Sequence, residues 1–159
     1  MAHAYAAPAV TLGLLGQDRQ RLAAIADRCA AKGATVDIAA IDVGDAAAME
    51  SWLGDFDRKY PADLVIANAG TSAGPEPDSP SEGVPSAVRQ VRVNLIGAIN
   101  TVEPLLPAMC RRGRGRVAVV ASIAAYRGLP YSPGYCASKA GCGLTPRRCG
   151  RGWRRAGSA

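Results

Sequence analysis

The stretch Tyr135-Cys136-Ala137-Ser138-Lys139, with Ser122 thirteen residues upstream of its tyrosine, decides how this chain is read. Ala137, Ser138 and Ala140 permit a helix here, and a helix stacks Tyr135 and Lys139, four residues apart, on one face. A tyrosine, with a reference pKa of about 10, is a poor acid-base group near neutrality, and an adjacent cation stabilises the phenolate form. Tyr-x-x-x-Lys alone equally describes a solvated helix face, so the residues around it carry the decision.

Ser122 follows the apolar run Val117-Ala118-Val119-Val120-Ala121, which has the composition of a buried parallel strand. Its hydroxyl then sits at the carboxyl end of a strand, where open α/β sheets place their ligands. Asn68-Ala69-Gly70 likewise follows the short apolar run Leu64-Val65-Ile66-Ala67, and Asn94 lies in the next helical segment. In this order the residues resemble the short-chain dehydrogenase/reductase family. That family carries Asn-Ala-Gly after its fourth strand, an Asn in the following long helix, a Ser after its fifth strand and Tyr-x-x-x-Lys thirteen residues beyond that Ser. The resemblance covers roughly Ala2 to Ala140.

The resemblance implies an α/β fold, a Rossmann-like doubly wound parallel sheet, and an NAD(P)-dependent oxidoreductase acting on a hydroxyl or carbonyl group of a small molecule. It gives Tyr135 the role of the acid-base that exchanges a proton with the substrate oxygen. Ser122 hydrogen-bonds the same oxygen, Lys139 holds the nicotinamide ribose and favours the phenolate, and Asn94 holds a water of the proton relay. Asn68, Ala69, Gly70, Asp42 and Gln17 complete the expected NAD or NADP site together with Tyr135 and Lys139. Gly16 and Gln17 stand where the family chooses between its cofactors, and they commit to neither. Arg19 reads either as a charge for a 2′-phosphate or as an exposed first-turn arginine, and Asp42 either as an adenine contact or as a cap for the next helix.

In the family a first strand and a Thr-Gly-x-x-x-Gly-x-Gly loop precede the strand-like segment Val10 to Leu15, and neither occurs in this sequence. Backbone amides of such a loop cradle the cofactor pyrophosphate, so the expected sheet is incomplete and cofactor binding is expected to be impaired. The pair of strands at 10–15 and 35–41 then lacks a partner joining it to those at 64–67 and 117–121. The expectation is a family oxidoreductase whose 159-residue chain is inactive as a fragment. The alternative is a non-catalytic remnant or interaction module.

Composition narrows the classes further. With 159 residues, 48% of them apolar, the chain suits one domain with a real core. The net charge of +6 is concentrated: residues 1 to 140 hold 14 Lys and Arg against 13 acids, and 141 to 159 add five Arg and no acid. A nucleic-acid partner therefore has no support outside the tail. Five cysteines without a C-x-x-C pair read as cytosolic thiols rather than a zinc site, and no signal peptide or membrane span is expected, so a cytoplasmic protein is expected; the family resemblance implies a homo-oligomer if its full-length form folds. Helices are expected from Asp18 to about Lys32, from Asp45 to Tyr60 and from Val88 to Met109.

Residues 1–140 are thus expected to form a partial NAD(P)-binding domain and 141–159 a basic, Gly- and Arg-rich tail without order. The composition changes in mid-helix after Ala140, and a shifted reading frame is the expected origin. GC-rich codons for the tail, read two bases on, yield a helix-forming peptide with an apolar stripe.

Overall fold

The protein is described by a computed structural model covering residues 1–74 and 79–142. The expected disordered tail lies outside the described residues from position 143 onward. Gly141 and Cys142 do not begin it, because they close the last helix.

A short helix α1 (Ala2–Tyr5) leads into β1 (Thr11–Gly16), α2 (Arg19–Ala30), β2 (Thr35–Ala40) and α3 (Ala46–Lys59). β3 (Leu64–Ala67) follows, then α4 (Val84–Val91), a π-helical turn over Arg92–Ile96, α5 (Gly97–Val102) and α6 (Leu106–Arg112). β4 (Arg116–Val119), a 3-10 turn at Ile123–Ala125 and α7 (Pro133–Cys142) complete the order. Local chemistry sets the boundaries: Asp18 accepts from Arg21 N at 2.9 Å and Asp45 from Ala48 N at 3.1 Å, each capping a helix that opens after a strand. Gly33, at φ +87°, supplies the left-handed residue that ends the chain's run out of α2.

Both strand pairs are parallel, as crossover helices require. β1 pairs with β2 from Thr11 opposite Thr35 to Gly16 opposite Ala40, and β3 with β4 from Leu64 opposite Arg116 to Ala67 opposite Val119. No ladder joins the two pairs among the described residues, so the expected break in the sheet is present. What joins them is the core. Met49 and Leu53 of α3, Val65 and Ala67 of β3, Val102 of α5, Leu105 and Met109 pack together, with Leu15 of β1 and Val117 and Val119 of β4 against them.

Two expectations change. β4 was expected to be wholly buried, yet exposed residues alternate with half-buried ones along Arg116–Val119, because successive side chains point to opposite faces and only the Val117 and Val119 face packs on the core. The expected single helix from Val88 to Met109 begins earlier, at Val84, and is three segments, with the π turn at Asn94 and a break before Leu106. The whole stretch Val84–Arg112 is the one helical run among the described residues long and apolar enough to cross a membrane by length and composition. Val84, Val88, Ile96 and Ile99 lie exposed along it, while Gln90, Asn94 and Thr101 are buried.

Below the core, Arg112 forms a two-pronged ion pair with Asp57, at 2.7 and 2.8 Å, and also donates to Ala62 O at 3.1 Å. Burial raises the Asp57 pKa, but hydrogen bonds from Arg112 and Ala62 N, with the charges of Arg112 and Arg111, outweigh it and hold the carboxyl below its ordinary value.

Candidate active site

The π turn, the segment after β3 and α7 meet at Asn94. The π turn inserts an extra residue into the helix, a feature that recurs at functional sites because it redirects backbone and side chain together. Asn94 is 1% exposed. Its Oδ1 accepts from Thr71 N at 2.7 Å, and its Nδ2 donates to Thr71 O at 2.9 Å and to Ser138 Oγ at 3.0 Å. The amide therefore clamps the segment after Asn68-Ala69-Gly70 to α7. Cys142 Sγ donates to the Asn94 main-chain carbonyl at 3.1 Å, so both ends of the residue hold α7. Burial raises the Cys142 pKa, partly offset by the charge of Lys139, which keeps the thiol protonated and able to donate.

Lys139 is 5% exposed and donates to Val120 O, just past β4, at 2.8 Å. An ammonium carries three protons, so donors remain after that bond. A methyl group placed on Gly70 would lie 3.5 Å from both Lys139 Nζ and Asn94 Oδ1, so the Asn-Ala-Gly turn, Asn94 and Lys139 share one site. Tyr135, one helical turn earlier, has its ring centroid 6.0 Å from Lys139 Nζ, at the outer limit of a cation-π contact. Ser122 ends the segment after β4, and its Oγ accepts from Ala124 N at 3.2 Å, which leaves the hydroxyl proton to donate. α7 packs directly on the 3-10 turn that Ser122 caps.

The remaining expected residues stand apart. Gln17 and Asp42 are exposed beyond β1 and β2, and Asp42 accepts from Gly44 N at 2.8 Å in a local turn, while the cap of α3 is Asp45. The N-termini of α2 and α3 are occupied by the carboxylates of Asp18 and Asp45.

The sequence model of the family described as short chain dehydrogenase matches residues 1–151. The chain belongs to this family. The match runs past Ala140, where the motif resemblance ends. An uncharacterized oxidoreductase of Myxococcus xanthus is 35% identical over 130 residues, 79% of this chain and 49% of that protein. Human 17-beta-hydroxysteroid dehydrogenase type 1 is 38% identical over 78 residues, 48% of this chain and 23% of that enzyme. Among solved structures, an alcohol dehydrogenase from the archaeon Thermococcus sibiricus, complexed with 5-hydroxy-NADP, superposes with a TM-score of 0.74 at 27% identity, covering 89% of this chain and 58% of that one. The chain thus spans about half or less of the curated relatives it matches.

In this member of the short-chain dehydrogenase family the motif residues Asn68 to Gly70, Asn94, Ser122, Tyr135 and Lys139 all fall around β3, β4 and α7. Sequence reasoning missed Ser138, Thr71, Glu82 and Gln90. Ser138 carries a signal in hindsight, a small hydroxyl next to Lys139 on the buried side of the helix; the other three owe their places to distant contacts.

Proposed function

We propose that this chain carries the acid-base site of an NAD(P)-dependent oxidoreductase acting on a hydroxyl or carbonyl group, and that the 159-residue chain alone does not turn over. The observation that supports the reading most is the buried Lys139, held by Val120 O beside Gly70 and Asn94, on the helix that presents Tyr135.

The two ends of a dinucleotide fit differently. Lys139 retains donors suited to ribose hydroxyls, and the exposed Asn68-Ala69-Gly70 backbone lies next to it. For the diphosphate the described residues offer no nest of amides, and the helix starts that would attract it carry Asp18 and Asp45 instead. A bound nicotinamide would supply the hydride chemistry. The chain's own residues supply the proton: Tyr135 donates it to, or takes it from, the substrate oxygen, and Ser122 donates a hydrogen bond to that oxygen. The Lys139 ammonium favours the phenolate, and Asn94 keeps the Gly70 turn seated on α7. Exposed Ile123, Tyr126 and Tyr131 between Ser122 and Tyr135 offer apolar area to an organic substrate. The exposed Val84, Val88, Ile96 and Ile99 side of the long helical stretch suits packing against a second copy.

Calorimetric titration of the chain with NAD and NADP tests the reading. No heat of binding is expected up to about millimolar cofactor, and dissociation constants near micromolar would overturn the proposed lack of a phosphate site.

A further inference from the structure

The helix that carries Tyr135 and Lys139 is held at its start from outside. Ser132 O accepts from Cys136 N at 3.0 Å, so Ser132 is the N-cap residue, Pro133 the first helical residue and Gly134 the second. The opening amides of a helix need acceptors, commonly a cap side chain. Here the acceptor comes from a different segment: Gly134 N donates to Glu82 Oε1, while Glu82 Oε2 accepts from Gln90 Nε2 at 2.6 Å. Glu82 is 8% exposed and Gln90 1%, and Gln90 Nε2 also reaches Ser86 O and Oγ at 3.3 Å. A carboxylate at this end of a helix is favoured by the helix dipole.

Two further observations mark a fitted seat. A methyl on Gly134 would come within 2.6 Å of Ala87 and 2.7 Å of Glu82 Oε1, so only glycine lets α7 lie this close to α4. Tyr131, next to the cap, sits at φ +60°, a left-handed conformation that is unfavourable for a bulky residue and persists where the surroundings impose it.

We propose that Glu82, braced by Gln90, is a positioning residue for the acid-base tyrosine: it fixes the first turn of α7 and with it the direction in which Tyr135 presents its phenol. The proposal rests on the role given to Tyr135 above, and its test uses neither cofactor nor turnover, so failure of the oxidoreductase reading would show in the binding and activity assays instead. The test is carbon-13 NMR of the chain labelled at the ζ carbon of its five tyrosines, with the Tyr135 line assigned by its loss in Tyr135→Phe. Glu82→Gln keeps the reach and loses the charge. Among the described residues Gln90 Oε1 has no hydrogen-bond partner, so its amide can turn and accept from the new side chain. Glu82→Asp keeps the charge but is one methylene too short to hold both partners. The Tyr135 line is expected at its original position in Glu82→Gln and displaced or split in Glu82→Asp, with the other four tyrosine lines unmoved. A Tyr135 line unmoved in both variants, or displaced in Glu82→Gln and unmoved in Glu82→Asp, would overturn the proposal. Should Glu82→Asp not fold, Gln90→Met removes the brace while leaving α7 untouched, and there a split Tyr135 line supports the proposal and a single original line refutes it.

Discussion

The two strand pairs end in opposite kinds of chemistry. Beyond β1 and β2, Asp18, Asp42 and Asp45 are exposed and each accepts from an amide two or three residues away. Beyond β3 and β4 the contacts cross the chain: Asn94 reaches 23 residues back to Thr71 and 44 forward to Ser138, and Lys139 reaches 19 back to Val120. The caps at the starts of α2 and α3 are short-range and solvated, whereas the long-range bonds around Asn94 and Lys139 are buried or half-buried. The second pair is therefore the preorganised half of the molecule, and the first pair is scaffold with a polar rim.

The strongest way to break this contrast is at the tyrosine. In any form of the chain that turns over, Tyr135→Phe is expected to reduce kcat by about 10²–10⁴-fold, the usual scale of general acid-base catalysis, because it removes the transferable proton and keeps the ring. Ser122→Ala removes one hydrogen bond to the reacting oxygen and should cost about 2.7–4 kcal/mol in the transition state. Steady-state rates decide both, and a Tyr135→Phe variant with half the original kcat would move the chemistry elsewhere.

The shared core gives the next largest effect. Met109 is fully buried, so Met109→Ala should lower unfolding free energy by about 2–5 kcal/mol in urea titrations. If the two strand pairs are joined only through that core, the transition should also lose cooperativity, with far-UV and tryptophan signals separating; coincident transitions would mean that the halves are coupled more tightly than their separate ladders indicate.

Below the core, Asp57→Asn leaves Arg112 without its counter-charge. The pair is neither fully exposed nor fully dry, with side chains 9% and 24% exposed, so a loss on the order of 2–3 kcal/mol is expected. The folded pKa of Asp57 lies below its unfolded value, so this stability is present above the ordinary carboxylate range and is lost as pH falls through the depressed folded value. The stability gap between parent and variant should therefore be full at about pH 6 and close below about pH 4; a gap that persists in acid would assign the loss to packing.

The smallest effect sharpens the contrast from the other side. Asp18→Ala should cost about 1 kcal/mol through loss of the α2 cap, while Asp18→Asn keeps the acceptor and should cost little. Thermal melts separate the two, and equal losses would show that charge rather than the hydrogen bond matters at that helix start.

The β1-to-α3 region was legible in the sequence nearly to the residue, because its signals are local. Asp18 caps, Gly33 stops, and Met49, Leu53 and Phe56 mark one helical face, although the cap of α3 is Asp45 rather than the Asp42 offered for it. The site was legible in part. The family resemblance pointed to Asn94, Ser122, Tyr135 and Lys139, whereas the bonds of the Asn94 side chain to Thr71 and Ser138 had no signal in the sequence. The partial exposure of β4 was missed because apolar composition records how well a strand tolerates burial, while actual burial depends on what packs on each face of the sheet. The start of the long helix was placed too late because Pro85 and Ser86 weaken the periodic signal just where Pro is tolerated, in a first turn.

By itself the sequence determined the element types, the helix caps and the ordered motif residues, since these depend on side-chain chemistry and on separations of a few positions. Only the tertiary structure decided that one core joins the two strand pairs, that a π turn aims Asn94 at both Thr71 and Ser138, and that Glu82, 52 residues before Gly134, holds the start of the tyrosine's helix. Such contacts leave no periodic trace in the chain, because the geometry joining two distant segments is set by everything packed between them.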